Sequence, residues 1–236
     1  MRSDGWGERP RGPCYNLPFP MASTTLCAIC HKKKARRECP GIRGSICAPC
    51  CGAEREVTVD CPLDCVYLRE ARRHEPEPIL LPKDIPFPEI EIGDGFLAEH
   101  EHFIGQIAFQ LLRLALENPK TTDGDLVEAM EKLVRTYETL SSGIYYESLP
   151  EEGSQIVVFR DVKKFLDEYQ EKERQKGSLR PLKETEVIGA LVFLSRLATV
   201  HSNHRPRGRA FIDFLRSTYP ESAVSKEESR LIVPGR

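Results

Sequence analysis

The sequence has 236 residues, of which 40% are hydrophobic, 30% are charged and 8% are aromatic. A chain of this length holds one large domain or two small ones, and this composition supplies enough apolar residues for a core. The 34 lysines and arginines against 36 acidic residues give a formal net charge of -2. This balance excludes a polycation that coats nucleic acid along its whole length, so a basic surface must be local.

Residues 1–21 precede the patterned part of the chain and contain no apolar run of signal-peptide length. Because Met21 stands directly before the patterned part, we predict that residues 1–21 are a disordered or untranslated leader. No later segment approaches the ~18 consecutive apolar residues that a membrane-spanning helix needs. We therefore expect a cytoplasmic protein with no membrane partner.

Eight of the nine cysteines lie between residues 27 and 65. In a chain without an export signal, thiols at this density are typical of metal ligands, because a reducing cytosol does not keep disulfides closed. Two C-x-x-C pairs occur, and their two intervening residues let both sulfurs turn onto one ion. Tetrahedral zinc takes four thiolates, so eight sulfurs predict two zinc ions. The predicted ligands are Cys27, Cys30, Cys39, Cys47, Cys50, Cys51, Cys61 and Cys65.

The adjacent pair Cys50 and Cys51 indicates how the sulfurs are shared, because neighbouring residues chelate one tetrahedral ion poorly. Interleaved sites follow from this argument. The first set is Cys27, Cys30, Cys47 and Cys50, and the second set is Cys39, Cys51, Cys61 and Cys65. His31 adjoins a C-x-x-C pair and is an alternative ligand, although a solvated bystander is the favoured interpretation.

Alternating ligand pairs of this kind resemble the cross-brace zinc fingers of the MYND, HIT and B-box groups. The resemblance covers residues 27–65 and implies a small module that is held by two structural zinc ions and binds a partner. The families usually pair the second ligand position as C-x-x-C or C-x-x-H, whereas Cys39 has no such neighbour here. The resemblance therefore implies no particular target.

Sequence motifs indicate which metal the cysteines bind and whether the chain is an enzyme. Iron–sulfur binding is the alternative to zinc, but neither the bacterial nor the plant-type ferredoxin spacing is present. Four thiolates on each zinc leave no open position, which predicts structural sites in a module too short to bury an adequate core unaided. The chain has no G-x-S-x-G, phosphate-loop, dinucleotide or H-E-x-x-H motif, so we expect no enzyme.

Two short segments concentrate positive charge and are candidates for binding nucleic acid or another anion. The first contains Lys32, Lys33, Lys34, Arg36 and Arg37, and the second contains Arg205, Arg207 and Arg209. The favoured interpretation is a solvated surface for the first and an exposed interhelical turn for the second. Contact with phosphate groups is the alternative for both.

A proline-rich linker over residues 75–93 follows the cysteine module, which we assign to residues 22–74. Five prolines within residues 75–92 predict an extended segment, partly docked on a neighbouring element. From Asp94 the apolar residues recur about every 3.6 positions, which predicts an antiparallel bundle of five helices over residues 94–219. We expect Asp94 to cap the first helix, and residues 220–236 to form a flexible tail.

The sequence thus predicts a mostly α protein with a small zinc module at one end. The favoured function is that of a zinc-binding adaptor with two structural zinc ions and a protein partner. A nucleic-acid-binding protein is the alternative, an uncharacterised enzyme is less favoured, and no small-molecule substrate is identified.

Overall fold

The computed structural model describes residues 25–75, 81–175 and 182–219. The predicted leader (1–21) and tail (220–236) lie outside these described residues. Within them the chain forms one two-stranded sheet and seven α-helices, so the predicted mostly α fold is confirmed. The elements are β1 (Arg37–Cys39), β2 (Gly44–Ile46), α1 (Ala48–Glu54), α2 (Val66–Arg72), a 3-10 turn (Pro82–Asp84), α3 (Asp94–Glu117), α4 (Asp123–Ser141), α5 (Gly153–Gln175), α6 (Glu184–His201) and α7 (Ala210–Thr218).

The cysteine module is built around the antiparallel hairpin of β1 and β2, in which Arg37 pairs with Ile46. The hairpin loop contains Gly41, and a Cβ atom there would lie 2.5 Å from the carbonyl oxygen of Asp60. Only glycine therefore allows the loop to pack against the chain segment that leads to Cys61. The buried core of the module is small: Cys27, Cys39, Ile46, Cys47 and Val59.

Helices α3 to α7 correspond to the five amphipathic segments predicted from the sequence. Helix α4 packs against α5, α6 and α7, and α3 packs against α5, α6 and α7 on another side. One cap differs from the prediction, because Gly93 occupies the N-cap of α3 and Asp94 is the first helical residue. There the Asp94 carboxylate still lies next to the N-terminal end of the helix dipole.

The described part of the linker lies against the bundle and is fixed by Arg196 of α6. The Arg196 guanidinium donates hydrogen bonds to the carbonyl oxygens of Pro86 (3.0 Å), Phe87 and Ile90 (2.8 Å). Phe87 and Ile90 also pack against the bundle core. The linker is not wholly extended as predicted, because residues 82–84 form a turn of 3-10 helix.

A helix must be both long and apolar to cross a membrane. In the described ranges, no helix meets both conditions.

Candidate metal centre

The first C-x-x-C pair lies in a tight turn that follows a short backbone bridge between Leu26 and Lys34. Cys27 begins this turn, and the backbone N–H of His31 donates to the Cys27 carbonyl oxygen at 2.9 Å. His31 has a left-handed backbone conformation (φ 53°) and an exposed side chain. Its backbone turns the chain so that the next two N–H groups, of Lys32 and Lys33, donate to the Cys30 sulfur.

The second C-x-x-C pair lies where β2 leads into α1. Cys47 occupies the N-cap of α1, and Cys50 follows in the first turn of the helix. Pro49 also lies in that turn. Proline has no backbone N–H, and its absence costs nothing there because the first N–H groups of a helix have no intrahelical partners. The helix start therefore places both sulfurs on the side that faces the first pair.

The four sulfurs of the first set come together as the sequence predicts. The Sγ atoms of Cys27, Cys30, Cys47 and Cys50 all lie within 4.8 Å of one another, and those of Cys30 and Cys47 are 4.0 Å apart. A Zn–S bond of about 2.3 Å places sulfurs about 3.8 Å apart in a tetrahedron. The Cys30–Cys47 separation is near this value, and the cluster as a whole is compact enough to hold one ion. His31 is not part of the cluster.

The protonation of this cluster is uneven. Burial opposes ionisation of Cys27, but the backbone N–H groups of Cys30, Cys47 and Ile29 outweigh burial and lower its pKa to about 6. The N–H groups of Lys32 and Lys33 likewise lower the pKa of Cys30. Hydrogen bonding to Cys47, together with burial, raises the pKa of Cys50 to about 12. Four thiolates can therefore coexist here only when a cation replaces the remaining protons.

The second set of cysteines is less closely grouped. Cys51 and Cys61 pack against the small core that contains Cys39, while Cys65 is the N-cap of α2. Burial raises the pKa of Cys61 to about 11, and the nearby Glu56, Cys65 and Cys39 add to this increase. Among the described residues, only the first set forms a group of potential ligand atoms within 4.8 Å.

The first basic segment lies on the surface of the cysteine module. Lys32, Lys33, Lys34 and Arg36 are exposed, and none of them forms an ion pair with another described residue. The guanidinium of Arg37 lies over the ring of Tyr67, 4.6 Å from its centroid. We call Lys32, Lys33, Lys34 and Arg36 the basic turn.

The second basic segment is docked on the cysteine module rather than forming a free interhelical turn. Arg205 donates to the carbonyl oxygen of Arg55 at 2.8 Å, and Arg207 forms an ion pair with Asp60 at 3.0 Å. Arg209 is buried and donates to the carbonyl oxygen of Ala115 at 2.9 Å. The segment connects α6 and α7 and leaves Arg207 exposed, as the favoured interpretation predicts, but Arg205 is half-buried and Arg209 is buried.

Glu56 is the residue on which this docking converges, and it is fully buried. Its carboxylate accepts hydrogen bonds from Arg72 Nη2 (2.8 Å), Asn203 Nδ2 (2.7 Å) and the backbone N–H of Arg209 (3.0 Å). Its carbonyl oxygen accepts from the backbone N–H of Arg207 at 2.9 Å. No local sequence signal marks Glu56, because its partners are up to 153 residues away.

In comparisons with known proteins, no family model, no curated protein and no solved structure matches this chain. The resemblance to cross-brace fingers is therefore supported only by the cysteines. Their geometry supports a zinc-finger-like module with one four-cysteine cluster that can bind a metal ion.

Proposed function

We propose that this chain is a zinc-binding interaction protein whose cysteine module is held in shape by structural zinc. The observation that carries the proposal is the cluster of four sulfurs within 4.8 Å of one another. Four thiolates suit zinc, and the sequence lacks the spacings of ferredoxin-type iron–sulfur sites. A site closed by four sulfurs leaves no position for a substrate, so we assign the metal no catalytic role.

We propose a second zinc ion on Cys39, Cys51, Cys61 and Cys65. Support comes from the packing of Cys51 and Cys61 against the same small core as Cys39, and from the proximity of Cys65 to Cys61. Burial raises the pKa of Cys61 most and the neighbouring negative charges raise it further, and a cation among these sulfurs would oppose both effects. The donor atoms are soft thiolates, which zinc prefers to oxygen.

Metal content tests this part of the proposal. We expect elemental analysis of freshly purified protein to give two zinc ions per chain. One zinc would restrict the function to the first set, and iron or no metal would contradict zinc binding altogether.

The basic turn is the surface that we propose contacts the partner. The Cys27–Cys30 pair fixes one side of it, and β1 fixes the other, so metal binding presents these side chains in a set arrangement. Because the four cations are exposed and have no ion pair in the described part of the chain, they can pair with acidic groups of another molecule. The favoured partner is an acidic segment of a protein.

Nucleic acid is the second candidate partner, and the same unpaired cations favour it. Against it, Arg205 and Arg209 donate to carbonyl oxygens within the chain, which leaves only the exposed Arg207, ion-paired with Asp60, to extend a phosphate-binding surface. Aromatic groups for base stacking are also scarce, since Tyr67 already lies under Arg37.

Fluorescence anisotropy with two labelled probes separates these candidates: an oligoglutamate peptide and a single-stranded RNA. The favoured function predicts binding of the peptide, and the double substitution Lys32→Glu/Lys34→Glu should abolish it. Exposed lysines outside the module provide the control, Lys120→Glu/Lys164→Glu, which should bind as the wild type does. Preference for RNA, with affinity falling steeply between about 50 and about 200 mM salt, would establish the second candidate. Binding of neither probe would contradict the assigned surface.

A further inference from the structure

The loop between α4 and α5 exposes several large apolar and aromatic side chains that are close together in the sequence. Tyr145 is 71% exposed, Tyr146 is 64% exposed and Ile144 is 62% exposed, and Leu149 is exposed as well. Single exposed apolar residues are common on protein surfaces, whereas neighbouring ones are typical of a surface that binds another molecule. We call residues 144–152 the tyrosine loop.

Hydrogen bonds to α4 hold the backbone of the tyrosine loop in place. The N–H of Ile144 donates to the carbonyl oxygen of Thr139 at 2.9 Å, and the carbonyl oxygen of Tyr146 accepts from the Thr139 hydroxyl at 3.0 Å. The N–H of Ser148 donates to the hydroxyl of the buried Thr136 at 3.0 Å. The exposed side chains are therefore presented by a fixed backbone, so a partner that binds them does not have to order the loop.

Negative charge accompanies these exposed side chains. The sequence contains no lysine, arginine or histidine in residues 136–159. Lys163 of α5 forms an ion pair with Glu147 at 3.7 Å. The exposed carboxylates of Glu151 and Glu152, in contrast, form no ion pair with another described residue. The tyrosine loop thus combines aromatic rings with carboxylates whose charge is not balanced.

We propose that the tyrosine loop is a second docking surface and that its partner is an arginine-rich segment of another protein. Arginine matches both features of the loop, because a planar guanidinium stacks on aromatic rings and pairs with carboxylates. This chain already contains such a contact, between the Arg37 guanidinium and the ring of Tyr67. The tyrosine loop is opposite in charge to the basic turn and does not depend on bound metal. The chain can therefore bind two partners of opposite charge.

Fluorescence anisotropy of a labelled oligoarginine peptide with the full chain tests the contribution of the rings. Tyr145→Ala/Tyr146→Ala should weaken binding by about 5- to 30-fold, because two cation–π contacts are lost. Tyr145→Phe/Tyr146→Phe is the matched control, since it keeps both rings, and it should bind nearly as the wild type does. Equal affinity of the alanine variant and the wild type would overturn the proposal.

The same peptide tests the contribution of charge. Glu151→Gln/Glu152→Gln should weaken binding by about 2- to 10-fold at low salt. The control Glu91→Gln/Glu101→Gln removes two exposed carboxylates outside the tyrosine loop and should leave binding unchanged. Equal losses in the two double variants would mean that oligoarginine responds only to the net charge of the chain, which would also overturn the proposal.

Nuclear magnetic resonance locates the bound peptide. On addition of oligoarginine, the amide signals of residues 144–149 should shift most, and shifts confined to another surface, or no binding, would contradict the proposed site. A second copy of the chain, bound through its basic turn, is the other possible occupant. In that case light scattering would show association of the wild type that Lys32→Glu/Lys34→Glu abolishes, and the assignment of a separate arginine-rich partner would be wrong.

Discussion

Asp123 begins α4, yet its carboxylate caps a different helix. It accepts hydrogen bonds from the backbone N–H groups of Phe211 (3.0 Å) and Ile212 (3.1 Å) in the first turn of α7. Burial raises the pKa of Asp123 to about 6, although these N–H groups act in the opposite direction. Asp123 therefore positions the start of α7, and its ionised form, which is buried, lowers the free energy of unfolding as the pH rises.

Substitution of Asp123 by asparagine should reveal this effect. Because the pKa rises from 3.8 in the unfolded chain to about 6 in the folded one, the folded state binds more protons in this window. Stability contributed by Asp123 is thus present below pH 4 and is lost as the pH rises to 6. Relative to Asp123→Asn, the wild-type free energy of unfolding should decrease by about 2 to 3 kcal/mol between about pH 4 and about pH 7.

Urea unfolding of both proteins at the two pH values measures this difference. Loss of zinc in acid affects both proteins and cancels in the comparison. A wild-type advantage that instead grows with pH would mean that the N–H groups of α7 outweigh burial.

Gly41 provides a second test at the scale of one residue. An alanine Cβ would lie 2.5 Å from the Asp60 carbonyl oxygen and 2.7 Å from Val59 Cγ1, so Gly41→Ala must displace the segment before Cys61. We expect a loss of about 1 to 3 kcal/mol in module stability and easier extraction of zinc by a chelator. Gly52→Ala is the control, because a Cβ atom at Gly52 would have no described neighbour within 4 Å. Equal zinc retention in both variants would show that the loop shifts freely.

Among the elements, the long helices are the part that the sequence predicts best. Their signals are local: apolar residues that recur every turn, and caps such as Thr122, which accepts from the Asp125 N–H while the Asp125 carboxylate accepts from the Thr122 N–H. Helices α1 and α2 have seven residues each, too few to show such a period, and they were not predicted. Their first turns are instead positioned by Cys47 and Cys65, which occupy the two N-caps.

Thr122→Ala tests the contribution of the cap to α4. The variant loses the acceptor of the Asp125 N–H (3.2 Å) and the hydrogen bond between the two side chains (2.9 Å). We expect the free energy of unfolding to fall by about 1 kcal/mol in urea denaturation. Ser141→Ala, which removes an exposed hydroxyl at the other end of α4, should change it by less than about 0.5 kcal/mol. Equal effects would indicate that the capping box contributes little beyond a surface hydrogen bond.

At the scale of the molecule, the spacing of the cysteines was sufficient to predict the first metal site. It could not predict the contacts between the cysteine module and the bundle. Cys27, Cys30, Cys47 and Cys50 could be assigned because two C-x-x-C pairs fix the local geometry. The role of Glu56 could not be predicted, since its donors come from α2 and from the distant loop before α7. Leu63 is a similar case, because it belongs to the module by sequence but is buried in the core of the bundle.

These contacts determine how the whole chain should respond to removal of metal by a chelator. The module has five buried core residues, so it should unfold when its metal is removed. Helices α3 to α6 should remain folded, because their interface is filled by their own apolar residues, such as Leu111, Leu133 and Leu191. Since α1 and α2 are short and α3 alone has 24 residues, the far-ultraviolet circular dichroism signal should fall only slightly.

The bundle should nevertheless lose some stability, because Leu63 leaves its core and the hydrogen bonds of the Glu56 carboxylate to Asn203 and Arg209 are lost. Thermal unfolding followed by circular dichroism should show a Tm that is lower by a few degrees than that of the zinc-loaded chain, which corresponds to roughly 1 kcal/mol or more in a chain of this size. An unchanged Tm would mean that the module contributes nothing to the bundle. Loss of the whole helical signal on chelation would instead show that module and bundle unfold as one cooperative unit, joined by contacts such as those of Leu63 and Glu56.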